Sequence, residues 1–496
     1  MKTPLLHRLP GGHPAWALLL TALLTGCAAG PDYQAPGPLA DNALPRPAPA
    51  VQNSTSETAF GAAQTWRADM DLEAPWWQQL GSPGLDALIA EALKASPTLA
   101  AAQAQLRQAE ELQAAQERAT QLPRADLGAG SARQHISPSA QGLPGDGRTF
   151  SLHSASVSVQ YQLDVSGGNQ RALQALVART DYRRYQLAGA RLDLAARIAS
   201  TAITQARITA QAEALEAIAS NQAAQTDIAQ ERLRLGQAMP ADVQALQAAL
   251  EQTRASALLL RKQALQSAYL LALLAGRTPG AEPLPAFRLQ SFTLPAALPQ
   301  VLPSELVRQR PDIQAAEALV RVASAEHGVA VARLYPQIRL SANLGSQALT
   351  TGALFGGGSA VWGLIAQLTQ PLFDPALPAQ RRAALAGLDA AAAQYQGVVL
   401  DALRSVADAL RATEADAQVL ATLERSDAAA QASLQTTQQQ LALGAASYLQ
   451  WLVAQQQALQ LRSSLVAAQA QRLADSAALF QAVGAGLRLN HSPSDP

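Results

Sequence analysis

Cys27 is the one cysteine of the chain, and its surroundings point to covalent chemistry at its thiol. It follows Leu24-Thr25-Gly26 at the end of an apolar run of ten residues, 15–24. Such a run is too short to span a bilayer and is typical of the core of a signal peptide. We therefore predict a lipoprotein signal peptide over residues 1–26 and attachment of a diacylglycerol and an N-acyl chain to Cys27. The alternative is a chance thiol in a secreted protein, and a lone cysteine excludes an internal disulfide in either case.

No other residue pattern predicts a reaction or a metal site. The glycine run Gly356-Gly357-Gly358 lacks the Lys-Ser/Thr of a phosphate loop. The chain has 37 basic and 37 acidic residues, and removing Lys2 and Arg8 with the signal peptide leaves 35 against 37. That balance gives no electrostatic basis for binding nucleic acid. We expect no enzymatic activity, no metal and no cofactor besides the covalent lipid. The six histidines are scattered: His7, His13, His135, His153, His327 and His491.

Two long helical hairpins organise the chain. The segment from Ala376 to Val483 is rich in alanine, glutamine, leucine and arginine, and its one strong break is Leu443-Gly444. The pattern predicts two helices of roughly 60 and 40 residues, about 90 and 60 Å long at 1.5 Å per residue. An earlier segment, Asn169 to Ala275, repeats this pattern with a break at Leu235-Gly236. In both hairpins a glycine in the left-handed conformation is expected to end the first helix.

The two halves of the chain align with each other. Asp164 and Asp374 are 210 positions apart, and Gly236 and Gly444 are 208 apart. A slowly drifting offset indicates an internal duplication with small insertions. We predict a first repeat over residues 85–290 and a second over 303–486, each with a helix, two strands and a long hairpin in that order.

The ends of the chain differ from the repeats in composition. Residues 27–84 are predicted to form a lipidated N-terminal tether, because the part up to Glu73 is rich in proline, alanine and glycine and favours an extended chain. Trp76-Trp77 is expected to anchor this tether on the body of the protein. Residues 487–496 are predicted to be a polar C-terminal tail.

Four strands are predicted between the helices. Apolar and polar residues alternate over 124–129, 156–165, 337–344 and 362–368, and polar loops separate the strands of each pair. Strands of about ten residues have the length that crosses an outer membrane. A soluble sandwich is the alternative, but its strands recur at short spacings without very long helices between them. Four strands cannot close a membrane barrel, so three chains are expected to supply twelve strands, with their helices side by side as a tube.

Several motifs carry a family resemblance. Arg310-Pro311-Asp312-Ile313 with the following Ala315-Ala316-Glu317, Gly30-Pro31-Asp32-Tyr33 after Cys27, and Gly444-x-x-Ser447-Tyr448-Leu449 are similar to motifs of the outer-membrane efflux protein family. The resemblance is to its TolC/OprM type, and particularly to the lipoprotein branch. It covers essentially all of the chain after the signal peptide.

The resemblance implies a fold and a function. The expected fold is a mixed α and β membrane protein with an internal two-fold repeat: a trimeric 12-stranded outer-membrane β-barrel, four strands per chain, continuous with a long periplasmic α-helical barrel. The expected function is the exit duct of a tripartite pump that exports small toxic compounds or drugs. The implied partners are two further copies of the chain, outer-membrane lipid, a periplasmic adaptor and an inner-membrane transporter of the resistance-nodulation-division type. The implied location is the outer membrane of a Gram-negative bacterium.

The resemblance also assigns site residues. The tips at Leu235-Gly236 and Leu443-Gly444 are expected to dock the adaptor, since glycine allows both a left-handed turn and close backbone approach. Asp242 and Leu449 align with positions that line the periplasmic aperture. This chain departs from the family at Leu452-Val453-Ala454-Gln455, where an aspartate is frequent. Alternatives are a tip turn without a partner, and a Leu449 that packs between helices instead of facing a lumen.

Two other functions remain open at this point. A duct for type I protein secretion would have the same fold, and the cargo would distinguish it. A non-conducting coiled-coil scaffold lipoprotein would explain the long helices, but the four strands of membrane-spanning length argue against it.

Overall fold

The computed structural model describes residues 33–34, 43–44, 60–137, 142, 144, 146–280, 285–300, 306 and 310–486. The predicted signal peptide, Cys27 and the C-terminal tail 487–496 lie outside the described residues. The chain divides into two compact units. Of the described residues, the strand unit comprises 33–34 and those within 107–181 and 317–394. The helix unit comprises those within 36–106, 182–316 and 395–486.

Helix lengths confirm the internal repeat. The first helix of each predicted hairpin has 67 residues and the second has 35. Among the described residues, no helix combines the length and the apolar character that a membrane crossing requires. The helices are α1 (Pro83–Ala95), α2 (Pro97–Gln121), α3 (Gly168–Arg234), α4 (Pro240–Leu274), α5 (Pro311–Ala332), α6 (Ala376–Ala442) and α7 (Tyr448–Ala482).

The long helices end in the same way in both repeats. Gly236 after α3 and Gly444 after α6 have φ of 72° and 75°, the left-handed region that glycine adopts without steric cost. The backbone N–H of Gly236 donates a hydrogen bond to the carbonyl of Leu233, and the N–H of Gln237 donates to the carbonyl of Arg232. This pattern, repeated at Gly444, satisfies carbonyls that the end of a helix leaves unpaired. The predicted left-handed caps at both tips are therefore confirmed.

Four strands form one antiparallel sheet in the strand unit. They are β2 (Arg124–Ile136), β3 (Arg148–Leu163), β5 (Gln337–Ala348) and β6 (Ala360–Thr369), in the order β2-β3-β5-β6. The strands of each pair are joined by loops at one end of the sheet, and the helices connect at the other end, which we call the helical end. The four predicted strands are confirmed. All four are longer than predicted, β2 and β3 most of all, and Val165 lies beyond the end of β3.

Two aromatic residues anchor the N-terminal part of the helix unit. Trp76 and Trp77 are buried, and the Trp76 ring stacks on Phe480 of α7 with centroids 6.1 Å apart. Anchoring by this tryptophan pair is thus confirmed. Burying one large aromatic side chain removes roughly 150–250 Å² of surface from water, which makes the pair a strong attachment point.

The prediction of an extended tether up to Glu73 is wrong from Phe60 onwards. Phe60 and Gln64 are buried, and strand β1 (Thr65–Arg67) pairs in parallel with β4 (Ala297–Pro299). The Gln64 amide donates to the Pro295 carbonyl at 2.9 Å and to Ser476 Oγ at 3.1 Å. These partners are more than two hundred residues away in sequence. The local composition of the segment therefore does not reveal this packing.

Candidate channel wall and helical tips

One face of the sheet is apolar across all four strands. Leu127, Val157, Leu344 and Trp362 stand opposite one another in a single row of the register. All four side chains are exposed, Leu127 to 82% and Trp362 to 78%. Exposing a row of apolar side chains to water is energetically unfavourable. Such a row indicates contact with lipid or with another protein.

The opposite face of the sheet is polar in the part next to the helical end, whereas Phe150, Leu152 and Val361 lie on it farther out. The neighbouring row contains Asp126, Ser158, Asn343 and Gly363, and Ile365 is an exposed apolar residue on this side. In this part of the sheet all four strands alternate between apolar and polar residues, which is the pattern of a membrane barrel whose outer face meets lipid and whose inner face meets water.

The two edges of the strand unit, which we call its flanks, are exposed. Strands β2 and β6 are the outer strands of the sheet, and within the described residues neither has a partner on its outer side. The helices that adjoin them in sequence are also uncovered. No residue of α2 from 107 to 121, and none of α6 from 376 to 394, is buried. The sheet is therefore amphipathic in its faces and open at both edges.

At the tips of the hairpins the predicted docking residues are exposed. Leu235 is 56% exposed and Leu443 is 84% exposed, and a Cβ added to Gly236 or Gly444 would meet nothing within 4 Å. The tips are thus open surfaces with one large apolar side chain each.

Beneath these surfaces the two hairpins pack together. Trp451 of α7 is buried with Ala229 of α3 and with Val243 and Leu246 of α4. A buried tryptophan that joins three helices fixes the two tips relative to one another. Sequence reasoning missed this residue, although a large aromatic in the first turn of a helix otherwise rich in alanine and glutamine is a usable signal.

Asp242 and its counterpart Gln450 cap the returning helices. The Met239 N–H donates to Asp242 Oδ2 at 3.4 Å at the start of α4. In α7, Ser447 and Gln450 form a reciprocal capping box, with the Ser447 N–H donating to Gln450 Oε1 at 2.7 Å and the Gln450 N–H donating to Ser447 Oγ at 3.2 Å. Gln450 stands 208 positions after Asp242 and also caps the start of its helix, but its side chain is uncharged. Asp242 therefore has a structural function in the first turn of α4 whether or not it also faces an aperture.

Leu449 lines a groove between the two hairpins. This groove of about 380 Å³ lies between α3, α4 and α7, with Gln252 and Ser256 on the α4 side. Leu449 is 71% exposed, so it is not packed between helices of its own chain. At the base of the groove the Gln222 amide donates to Gln455 Oε1 at 2.9 Å, and both side chains are buried.

A buried arginine holds the N-terminal segment against α7. Arg472 is 1% exposed, and its Nη1 and Nη2 donate to the carbonyls of Phe60 and Ala62 at 2.6 and 2.8 Å.

Burial and a hydrogen bond with the Asp475 carboxyl raise the pKa of Asp416 from 3.8 to about 7. The fold thus favours the protonated Asp416. Because the unfolded chain releases this proton near pH 4, the free energy of unfolding is expected to fall as the pH rises from about 4 to about 7.

These features define a class of protein: a channel-type membrane protein whose strands form part of a barrel wall and whose long helices end in exposed tips. The model of the outer membrane efflux protein family matches residues 88–277 and 302–485. The chain is 27% identical over 477 residues to the antibiotic efflux pump outer membrane protein ArpC of Pseudomonas putida, covering 95% of each chain. It is 28% identical over 479 residues to the toluene efflux pump outer membrane protein TtgF of Pseudomonas putida, covering 95% of this chain and 96% of TtgF.

Solved structures agree with the family match. The outer-membrane channel OprN superposes with a TM-score of 0.81 at 25% identity, covering 93% of this chain and all of OprN. The chain belongs to the outer membrane efflux protein family. It is an outer-membrane efflux protein with the mixed helix and strand architecture and the internal repeat of that family.

Proposed function

We propose that this protein is the outer-membrane exit duct of a tripartite efflux pump and that it works as a homotrimer. The amphipathic sheet with two open edges carries the proposal. Strand edges cannot remain unpaired in lipid, and a membrane barrel needs at least about eight strands. Three chains supply twelve strands, enough to close a barrel around a polar, water-filled interior.

The uncovered flanks support a particular contact between the copies. On one flank β2 and the last part of α2 are open, and on the other β6 and the first part of α6 are open. A head-to-tail contact between these different surfaces, repeated by a rotation that closes, produces a ring with no free edge. The same contact would cover the helices that have no buried residue in a single chain.

Docking of a periplasmic adaptor is proposed for the tips Leu235-Gly236 and Leu443-Gly444. The two leucines offer small apolar patches, and the glycines leave the backbone open to a partner. Trp451 and its neighbours would hold the tips as one surface. Through the adaptor the duct would join an inner-membrane transporter of the resistance-nodulation-division type.

An aperture at the periplasmic end is proposed around Leu449, with Asp242 as an acidic ring nearby. The 71% exposure of Leu449 in a single chain is consistent with an apolar ring of three side chains at the trimer axis. Apolar constrictions of this kind close a pore by dewetting. Neutral Gln450 stands where the first repeat has Asp242, so the second repeat would add no acidic ring there.

Small toxic organic compounds are the proposed cargo. The relatives ArpC and TtgF are named for antibiotic and toluene efflux, which favours small molecules over secreted proteins. The duct itself would select weakly, because a wide water-filled barrel offers few specific contacts.

Lipidation of Cys27 is proposed to anchor the N-terminus in the outer membrane. Two or more acyl chains give stable attachment where one does not. The Cys27→Ala variant should lose labelling by an alkyne-tagged fatty acid and accumulate as unprocessed precursor. Normal labelling of this variant would exclude acylation of that thiol.

The duct is tested in a Gram-negative strain that lacks its own outer-membrane efflux channels and expresses a matching adaptor and transporter. Expression of this chain should lower the steady-state accumulation of ethidium in energised cells, and removal of the transporter should abolish the difference. Unchanged accumulation, with the trimer present in the outer membrane and the other two components expressed, would count against the exit-duct function.

A further inference from the structure

The polar face of the sheet bears few charges, and they do not balance. Counted along the register, the strand residues on this face include three arginines and one aspartate: Arg124, Arg148, Arg339 and Asp126. Arg124 Nη2 and Asp126 Oδ1 form an ion pair at 2.9 Å, so these two charges compensate each other. Arg148 and Arg339 have no ion pair within the part of the chain that the structure describes. The polar face therefore keeps a net positive charge.

Arg339 lies close to the helical end of the sheet, where it is the third residue of β5. Its neighbours across the two adjacent strands are Gln162 and Gln367, which are both uncharged. The side chain of Arg339 is exposed. An exposed guanidinium among uncharged neighbours has nothing beside it that compensates its positive charge.

A second arginine lies at the same end of the sheet. Arg333 comes directly after α5 and lines a cavity of about 240 Å³ together with Gln162 and Gln337, which belong to the polar face. Arg333 is exposed, and among the described residues it forms no ion pair. The cavity therefore adds a second uncompensated positive charge close to Arg339.

Two carboxylates at the helical end cap helices instead of pairing with these arginines. Asp164, which lines the same cavity, accepts two backbone N–H groups in the first turn of α3 at 3.0 and 2.8 Å. Asp374 accepts the N–H of Ala376 at 2.9 Å at the start of α6. The positive end of a helix dipole stabilises a carboxylate in this position and offsets its charge. The two arginines therefore remain the uncompensated charges of this region.

We propose that Arg339 and Arg333 of three copies form a cationic ring inside the duct, and that this ring favours the passage of organic anions over organic cations. The favoured solutes bear carboxylate, sulfonate or phosphate groups. The proposal rests on the trimeric duct proposed above. Rings of arginine or lysine side chains give anion and phosphate pores their preference, because a ring of like charge attracts ions of the opposite sign.

The dimensions of a twelve-stranded barrel allow these charges to act across the lumen. Twelve strands about 4.8 Å apart and tilted by about 40° give a backbone radius of about 12 Å. An arginine side chain reaches several ångströms inward from this wall, which brings its charge to within about one Debye length of the axis, about 8 Å at physiological ionic strength. A solute at the centre of the lumen therefore experiences the field of all three copies.

The test measures the local potential beside Arg339 with two thiol reagents of opposite charge. Ser341→Cys places a thiol on the polar face two residues from Arg339, about 7 Å away along the strand. The full chain in outer membranes reacts with an anionic sulfonatoethyl and with a cationic trimethylammonium-ethyl methanethiosulfonate, both added from outside. The ratio of the two rate constants is divided by the same ratio for a small free thiol in solution. The chain without the added cysteine gives the background.

We expect the anionic reagent to be favoured at least twofold at position 341 when Arg339 is present. Arg339→Gln should lower the normalised ratio at least twofold, and Arg339→Glu should lower it about fivefold. These factors follow from Coulomb's law in water, with screening, for the loss of one and of two unit charges about 7 Å away. Arg333→Gln should lower the ratio in the same direction.

Two further variants act as a check on the sign and as a matched control. Asp126→Asn should raise the ratio, because it releases Arg124, which stands two strands from position 341 in the same row. Arg133→Gln removes an exposed arginine from the apolar side of β2 near the loops. It should leave the ratio unchanged, although the substitution is the same as at Arg339.

Equal ratios in the parent and in Arg339→Gln, with the cysteine reacting, would overturn the cationic ring and leave the duct itself untouched. A parent ratio that favours the cationic reagent would overturn it as well. Failure of Ser341→Cys to react with either reagent would show that this face is not in contact with water, and the ring would fall with the lumen. Because the reagents do not have to pass the aperture, ethidium accumulation in the same variants reports separately on the exit-duct function.

Discussion

A lysine in place of Leu344 is expected to destabilise the barrel strongly, whereas a lysine at the adjacent Asn343 is expected to be tolerated. Leu344 stands in the apolar row with Val157 and Trp362, and Asn343 lies on the polar face of the same strand. The two substitutions introduce the same side chain at neighbouring positions of β5. Any difference between them therefore reports which face of the sheet meets lipid.

The size of the effect follows from the depth of the residue. Leu344 is six residues beyond Ile338, the first apolar-face residue at the helical end of β5. Six residues at about 3.3 Å give about 20 Å along the strand, or about 15 Å of height at a tilt of about 40°. That is about half of a hydrocarbon core of about 30 Å. A lysine at the midplane costs about 2–4 kcal/mol, so three copies cost about 6–12 kcal/mol per trimer.

The assay is the temperature at which the purified trimer dissociates in a mild detergent, together with its amount in outer membranes. We expect both the dissociation temperature and the amount of trimer to fall strongly for Leu344→Lys and to change little for Asn343→Lys. Leu340→Lys, about 5 Å above the edge by the same arithmetic, should cost only about 0–1 kcal/mol per copy. Equal tolerance of lysine at positions 343 and 344, or a greater loss at 343, would refute the orientation of the sheet.

Three further predictions concern the helices. Gly444→Asp should raise ethidium accumulation without reducing the amount of trimer, because it adds a charge and backbone strain at the docking tip; unchanged accumulation would contradict the docking function. Leu449→Ala should open the resting trimer in planar bilayers, while Asp242→Asn, which keeps an oxygen to cap α4, should mainly reduce cation selectivity; a Leu449→Ala trimer as tightly closed as the parent would exclude the apolar gate. Asp416→Asn should remove the loss of stability between about pH 4 and 7, because the amide stays neutral and no second negative charge forms beside Asp475 as the pH rises. We expect a gain of about 1–2 kcal/mol at pH 7.5 over the parent after allowing for solvent screening of partly exposed carboxylates, measured by urea unfolding at pH 5 and 7.5. Equal pH dependence in parent and variant would contradict this.

The sequence was most informative where local chemistry determines structure. Long helices of alanine, leucine and glutamine need no distant partner to be recognised, and Gly236 and Gly444 end them through a backbone conformation that glycine adopts at no cost. The lipid-facing strands were recognisable by alternation. The parts of β2 and β3 far from the helical end were not. Residues 130–136 contain few apolar side chains, and Phe150 and Leu152 alternate out of phase with Val157.

Contacts between distant parts of the chain were not predictable in this way. The short β1–β4 pairing and the hydrogen bonds from Arg472 to Phe60 and Ala62 join segments that are more than two hundred residues apart. Nothing in the composition around Phe60 distinguishes it from the proline-rich tether before it. The capping function of Asp242 is also hard to predict, because the residue at the N-cap position is Met239, which is not a typical capping residue.

The mass of the native particle tests the central claim most directly. If each chain supplies one third of a closed barrel, native mass spectrometry of the protein extracted from outer membranes should give three times the mass of the acylated mature chain. A minor population of single chains is expected only after heating. A stable monomer or dimer that remains inserted in the membrane would contradict the account, because its outer strands β2 and β6 would then be unpaired in lipid.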